Sequence, residues 1–369
     1  MIEYIFFMIL AFGLSSLCGF VFIPHILNFC KKRNLYDMPG ARKVHRNAVP
    51  RLGGVSFMPS MLLAFVVAML FYNYTMDGEK IGVNLWSIFF FVSLLLIYCV
   101  GIIDDVIGLT AKTKFVVQIV AASLLPFSGL YINNFYGLFG IYEIPFYIGA
   151  PLTVFMIVFI DNAMNLIDGI DGLAGGLAML SLLGFLYCFS REGLWIYATL
   201  IAGLMGVLVP YMYFNIWGKA ENNRKIFMGD SGSLTLGFIL GFLFVKFAMD
   251  NPQVMPFRKD SLLLSFTLLI VPLFDVVRVI FVRLKNRKPL FMADKNHIHH
   301  LLIDTGLNQH QTLVVILALA IAFTVFNMFL YVVASVYFTS IVLLDVLLYG
   351  LVHYVISNRQ KGHKAGLKN

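Results

Sequence analysis

Charge is scarce in this sequence of 369 residues: Asp, Glu, Lys and Arg make up 12% of it, against 60% apolar residues. A water-soluble domain carries about 25%, so this composition, with a mean hydropathy of +0.86, excludes one. Cysteine is sparse as well. Cys18, Cys30, Cys99 and Cys188 show no CxxC spacing and lie in or beside apolar runs, so they read as buried thiols with no disulfide framework. No Ser/Gly-rich linker, fixed-period repeat or low-complexity segment divides the chain. One helical domain over 1–357 is expected, followed by a short basic tail at 358–369. Basic residues are also missing ahead of the first apolar run, where Glu3 stands, and Lys31, Lys32 and Arg33 follow it. That run therefore reads as a retained span and not as a cleaved signal peptide.

What fills the sequence instead is apolar runs long enough to cross a hydrocarbon core of about 30 Å. About eleven recur, near 4–26, 55–73, 86–103, 115–132, 145–163, 173–189, 195–216, 232–249, 261–282, 312–334 and 336–356. The expected fold is an all-α, polytopic transmembrane bundle. With the N-terminus outside and the C-terminus inside, the inner loops are 28–54, 104–114, 164–172, 217–231, 283–311 and 357–369. Those loops hold 21 of the 27 Lys and Arg, the asymmetry expected of cytosolic loops. The net charge of +8 is thus an orientation signal and gives no reason to expect a nucleic-acid partner.

In that orientation every chemically suggestive segment falls on the cytosolic rim. The densest is Asn162–Gly172, where Asn162, Asn165, Asp168 and Asp171 recur every third residue and share a helical face until Gly169 and Gly172 loosen the backbone. The others are Lys43-Val44-His45 with Pro50–Gly54 (including Arg51), Asp104-Asp105 with Lys112 and Lys114, Met228–Ser233 around Asp230, and Asp294–His300. Polar groups at a membrane boundary are costly, which makes a cluster of them a site hypothesis. Carboxylates and amides with few soft ligands suit a hard cation such as Mg²⁺, which keeps waters and substrate phosphates in its shell. Gly229-Asp230-Ser231-Gly232, ahead of a span, would let a phosphate approach the N–H groups of a helix start. Such a set is equipped for phosphoryl transfer. Each segment also has an ordinary alternative. Asp104-Asp105 could cap a span, Gly-Asp-Ser-Gly-Ser could be a turn with an N-cap, and the loop bases could serve orientation alone. The histidines could bind zinc, although no cysteine is near and carboxylates dominate their surroundings.

In this order the motifs resemble the polyprenyl-phosphate N-acetylhexosamine-1-phosphate transferases of glycosyltransferase family 4, among them the undecaprenyl-phosphate GlcNAc-1-phosphate transferases. These membrane enzymes start lipid-linked assembly of bacterial O-antigens, enterobacterial common antigen, teichoic acids and arabinogalactan. The resemblance runs over 37–302, and Asn-Ala-Met-Asn-Leu-Ile-Asp-Gly-Ile-Asp-Gly-Leu-Ala at 162–174 is its most specific part. It implies Asp230 as the principal Mg²⁺ ligand (Mn²⁺ in its place is allowed), with Asn165 as the second. Asp104 would contact or deprotonate the lipid phosphate, and Asp105 would hold the metal or orient its neighbour. Asp168 and Asp171 lie where the family handles the nucleotide, and Lys114 where it holds phosphate. His297, His299 and His300 would meet the diphosphate or sugar. Lys43, His45 and Arg51 belong to a first loop that could contact the diphosphate. Lys295 stands where an arginine is frequent, and Asp161 where a small or neutral residue is more usual.

The implied partners are a UDP-sugar donor, polyprenyl phosphate and the bilayer of a bacterial inner membrane; a second copy of the chain is also admitted. The implied reaction is in-line attack by the lipid phosphate on the β-phosphorus of the donor, releasing UMP. A covalent route through Asp104 is not separated from it by sequence. UDP-GlcNAc is the default donor, with UDP-GalNAc or a deoxy aminosugar nucleotide as alternatives. A secondary transporter would be expected to show repeated halves with midplane sites, whereas here the acids sit at one rim.

Overall fold

Backbone N–H and C=O groups find no water in lipid, so apolar runs satisfy them internally as helices. The computed structural model describes residues 2–37, 48–76, 82, 84–251, 257–289 and 295–366. Helix α1 is Ile2–Arg33, after which two short antiparallel strands, β1 Tyr36–Asp37 and β2 Val49–Pro50, pair with each other. Helices α2 Phe57–Thr75, α3 Leu85–Ile107 and α4 Ala111–Phe127 follow. A hairpin of β3 Asn134–Leu138 and β4 Ile141–Glu143 then leads to α5 Phe146–Ile167, α6 Leu173–Arg191 and α7 Trp195–Met212. The remaining helices are α8 Gly229–Ala248, α9 Ser261–Leu268, α10 Ile270–Lys285, the short α11 Ile298–Ile303, α12 Gln309–Met328 and α13 Phe338–Gly366.

Among the described residues, nine helical segments are long and apolar enough to cross a membrane, and α9–α10, bent by 71°, makes a tenth when counted as one span. The chain is therefore a multi-pass helical membrane protein. Ten of the eleven expected runs coincide with such a segment. The run expected at 115–132 is α4, whose 17 residues reach only about 25 Å at the α-helical rise.

Helix α8 forms the axis of the bundle. Every residue from Ser231 to Ala248 is buried, and α5 and α3 are its principal neighbours. Two glycines let α5 come close: a Cβ on Gly237 would meet the Asp161 Cα at 2.6 Å, and one on Gly241 would meet the Ile157 Cα at 3.2 Å. The carbonyls at the end of α8 have no intrahelical donor, and distant residues supply them. Arg258 Nη2 donates to the Phe247 carbonyl at 2.8 Å, and the Tyr136 hydroxyl on β3 donates to that of Ala248 at 2.9 Å. Buried Lys246 sits in the same last turn, its Nζ 3.4 Å from the centre of the Trp86 ring. Cations here meet the negative end of the helix dipole.

The bend between α9 and α10 has a definite cause. Pro272 has no N–H for the carbonyl four residues earlier, that of Leu268. The Ser181 hydroxyl on α6 donates to that carbonyl instead, at 2.7 Å.

Candidate active site

The ends of α3 and α8 are joined through Asp105. Its carboxylate accepts the backbone N–H groups of Asp230 and Ser231, both at 2.9 Å, which are orphan donors of the first turn of α8. Gly229 makes the turn into that helix at φ +72°, and a Cβ on it would lie 2.0 Å from the Arg51 carbonyl oxygen. The Pro50–Gly54 segment is laced to the same turn. Phe227 N–H donates to the Pro50 carbonyl, while Gly53 and Gly54 donate to those of Phe227 and Met228. Gly54 lies against the Gly232 backbone, with 2.0 Å to Gly232 N for a built Cβ. Arg51 closes the loop by donating from Nε to the Asp105 backbone carbonyl at 2.8 Å. The first N–H groups of α8, expected from sequence to receive a phosphate, are thus occupied by Asp105.

Next to this joint lies a cluster of opposite charges. Lys114 Nζ, on the first turn of α4, stands 2.9 Å from Asp230 Oδ2 and 3.2 Å from Asp104 Oδ2. The other Asp104 oxygen accepts the Leu109 N–H at 2.6 Å, which fixes the carboxylate in place. The Asn165 amide, from the end of α5, donates to Asp230 Oδ1 and, at 2.8 Å, to the Ser233 hydroxyl. Four helices, α3, α4, α5 and α8, thereby link Asp104, Lys114, Asp230 and Asn165 in one chain of contacts.

A cavity of about 330 Å³ opens on this cluster, lined among others by Arg51, Asp105, Asn165, Asp168, Asp171 and Asp230. Asp171 pairs with Lys225 Nζ at 2.7 Å, and Lys225 also donates to the Asn215 carbonyl at 3.2 Å. Asn215 sits in the wide π-turn Tyr213–Trp217 that ends α7. Its side chain accepts the Gly172 N–H at 2.6 Å and donates to the Ile226 carbonyl at 2.8 Å, tying three segments of the wall together. Neither Lys225 nor Asn215 stands out in the sequence, because Lys225 reads there as one more inner-loop cation.

The side chain of Asp168, at the C-terminus of α5, makes no hydrogen bond among the described residues. Burial, followed by the charges of Asp230, Asp171 and Asp105, pushes its carboxyl up to about 7. The folded protein therefore holds a proton there that an unfolded chain releases near pH 4. The resulting stability is fully present below that pH and is lost as the pH rises through about 7. Asp168→Asn, permanently neutral, should raise the melting temperature of the substrate-free protein in detergent at pH 8 by about 2–4 °C and leave it unchanged at pH 4. Equal shifts at both pH values would show that Asp168 carries no such strain.

The histidine segment divides into separate roles. His297 is buried with Nδ1 2.8 Å from Asp275 Oδ2, and the other Asp275 oxygen accepts the Ile298 N–H at 2.9 Å. Arg278 donates to the Asn296 carbonyl and lies 3.3 Å from Asp275. His299 is buried beneath Gly169, with neither ring nitrogen hydrogen-bonded, and burial holds it down at about 3, so it is neutral at physiological pH. Of the three, His300 lines the cavity; burial and the neighbouring His297 and Lys295 lower it. Asp275 and Arg278 are absent from the residues the motifs single out. Their signal in the sequence is two charges three residues apart inside an apolar run.

The structure therefore assembles Arg51, Asp105, Asn165, Asp168, Asp171, Asp230 and His300 around one space, with Lys114 and Asp104 joined to it through Asp230. His297 and His299 stand behind it, and Lys295 is exposed beside them. Lys43 and His45 lie outside the described residues. Asn162, expected on the same face as Asn165, turns away from the cavity. Its amide donates to Gln118 on α4 at 2.9 Å, and Gln118 donates in turn to Asp161, also at 2.9 Å. The period of three is broken because the face bearing Asn162 meets α4.

The chain is similar to known proteins. Residues 86–248 match the model of glycosyl transferase family 4. The chain is 29% identical over 325 residues to the probable undecaprenyl-phosphate N-acetylglucosaminyl 1-phosphate transferase of Bacillus subtilis (strain 168), covering 86% of this chain and 83% of the relative. The undecaprenyl-phosphate alpha-N-acetylglucosaminyl 1-phosphate transferase of Yersinia pestis is 29% identical over 77% of this chain and 74% of its own. That of Escherichia coli (strain K12) is 28% identical over 78% of this chain and 74% of its own.

Proposed function

We propose that the chain transfers a sugar-1-phosphate, with GlcNAc-1-phosphate the first choice, from a UDP-sugar to undecaprenyl phosphate, releasing UMP. The observation that carries this reading is the cluster of Asp104, Lys114, Asn165 and Asp230, of which Asn165 and Asp230 line an acid-rich cavity in a membrane bundle. The names of the relatives agree with it. The site would face the cytosol of a bacterial inner membrane, with the N-terminus outside, as the distribution of Lys and Arg favours. There a lipid phosphate can meet a soluble nucleotide while its tail stays in the bilayer.

The residues divide the work by position. Lys114, held between two carboxylates, is placed to receive a phosphate in exchange for one of them. Asp104, fixed by the Leu109 N–H, is placed to take a residual proton from the lipid phosphate. The phosphate oxygen then forms a bond to the β-phosphorus as the bond to UMP breaks, and UMP leaves with the electron pair. Asp171, Lys225 and Asn215 form the wall suited to the nucleotide, and His300 that suited to the diphosphate or sugar.

A Mg²⁺ ion fits the donor chemistry. Among the described residues no three carboxylate, imidazole or thiol groups come together as a metal cluster. An ion bound through one or two protein oxygens, with water and substrate phosphate completing its shell, is the habit of Mg²⁺. Asp230 would hold it, with Asn165 after a half-turn of its amide, and it would neutralise diphosphate charge. Purified protein given Mg²⁺, undecaprenyl phosphate and UDP-GlcNAc should release UMP. Release with UDP-GalNAc alone would change the sugar, and none with any UDP-sugar would overturn the reading.

A further inference from the structure

A buried polar chain outside the cavity joins the end of α9 to α12 and α13, and Tyr349, one turn further along α13, packs against Phe274 of α10 with ring centres 5.2 Å apart. Asn327 on α12 donates from Nδ2 to Thr267 Oγ1 at 3.1 Å, one residue before the end of α9, and to Asp345 Oδ2 on α13 at 2.9 Å. Asp345 and Asn327 are fully buried and Thr267 is 1% exposed. A carboxylate inside a membrane bundle is costly and is retained where it has a task. None of the three residues approaches the cavity, and Pro272 with Ser181 already accounts for the bend itself. What Pro272 leaves undetermined is its angle. A helix whose i→i−4 ladder is interrupted has no internal bond to set the direction of its second half.

That direction matters because Asp275 lies just beyond the bend. It holds His297 and the start of α11, which carries His300 to the cavity. With Asp275 roughly 8 Å along α10 from the junction, a change of about 10° there moves it by about 1.5 Å. A misplacement of about 1 Å can cost on the order of 100-fold in rate.

We propose that Asp345, acting through Asn327 and Thr267, fixes the angle between α9 and α10 and so places the His297–Asp275 pair and His300 at the cavity. Asp345 is a positioning residue that never touches substrate. Its effect on activity rests on the function proposed above.

The test is a double-mutant cycle with a structural measurement beside it. Asp345→Leu should lower kcat/KM for the UDP-sugar by about 10-fold, with the KM for lipid phosphate unchanged. In a His300→Ala background it should cost less than about 2-fold more, because both changes act on one element. Asp345→Asn keeps an oxygen for the Asn327 amide and should stay within about 2-fold of wild type. Nitroxides at lipid-facing Phe281 on α10 and Val314 on α12 should show a broadened distance distribution in Asp345→Leu and a wild-type one in Asp345→Asn. Should Asp345→Leu not fold, Thr267→Val takes its place in both measurements, with a loss of about 3-fold. Full multiplication of the Asp345→Leu and His300→Ala losses, or an unchanged distance distribution, would overturn the proposal. A wild-type protein that releases no UMP would overturn the function, while the distance measurement would still decide the positioning role.

Discussion

Asp105→Ala is expected to lower the melting temperature of the purified protein by about 5–10 °C, and activity should fall with the fold. The substitution strands two N–H groups at the start of α8, that of half-buried Asp230 and that of buried Ser231, each bonded to a carboxylate oxygen at 2.9 Å. A buried donor left without an acceptor costs about 1–3 kcal/mol, and the closely packed backbones of Gly54 and Gly232 lie beside this turn. Asp105→Asn keeps one acceptor and should lose about half as much. Asp104→Asn, one residue earlier, keeps the oxygen that accepts the Leu109 N–H. It should leave the melting temperature within about 2 °C while removing most UMP release. Adjacent aspartates thus separate by assay, through thermal unfolding for Asp105 and turnover for Asp104. If Asp105→Ala unfolded at the wild-type temperature, its role as the clamp between α3 and α8 would be wrong.

Asp230→Ala should reduce UMP release by on the order of 1,000-fold or more, with the melting temperature within about 2 °C of wild type. The carboxylate organises the cluster, touching Lys114 and Asn165 at once, so its loss removes the centre on which the diphosphate is positioned. Stability behaves differently because Asp230 is also a source of repulsion. It helps to push up the Asp168 carboxyl, and its removal relieves that strain while Lys114 keeps Asp104 as partner. Loss of nearly all turnover with an intact fold is the pattern of a residue kept for chemistry at the expense of comfort. A variant retaining a tenth of wild-type turnover would exclude Asp230 from the centre of the site.

Most of the membrane architecture is legible in the sequence because lipid leaves so few options. An apolar run of sufficient length has to be a helix, and its boundaries follow from where charge returns. The exceptions share a cause. Helix α4 starts four residues early and stays short, since its first turn carries Lys114 into the site. The hairpin Asn134–Glu143 lies between two runs, where periodicity says nothing, and the break at Leu268–Ile270 depends on Ser181, a partner 87 residues away. The site divides in the same manner. Asp104, Asn165, Asp168, Asp171 and Asp230 are conspicuous because each is a polar group where lipid discourages one. Asn215, Lys225 and Asp275 become meaningful only through partners that the fold supplies, such as Gly172 for Asn215 and His297 for Asp275. Asn162 shows the reverse. It shares the spacing of the site residues, but its face belongs to α4.

The burial of α8 on every side has a consequence for how the chain is made. A segment that contacts lipid nowhere in the finished molecule must still pass through lipid when it is inserted. Its eventual neighbours α3 and α5 are synthesised before it, and α9 after it. At that stage the earlier helices enclose an open slot, and the arriving α8 closes it when its first turn finds Asp105. Chains truncated just before Gly229 should therefore be the form most readily recognised by membrane quality control, since they present that slot with Asp105 uncovered inside it.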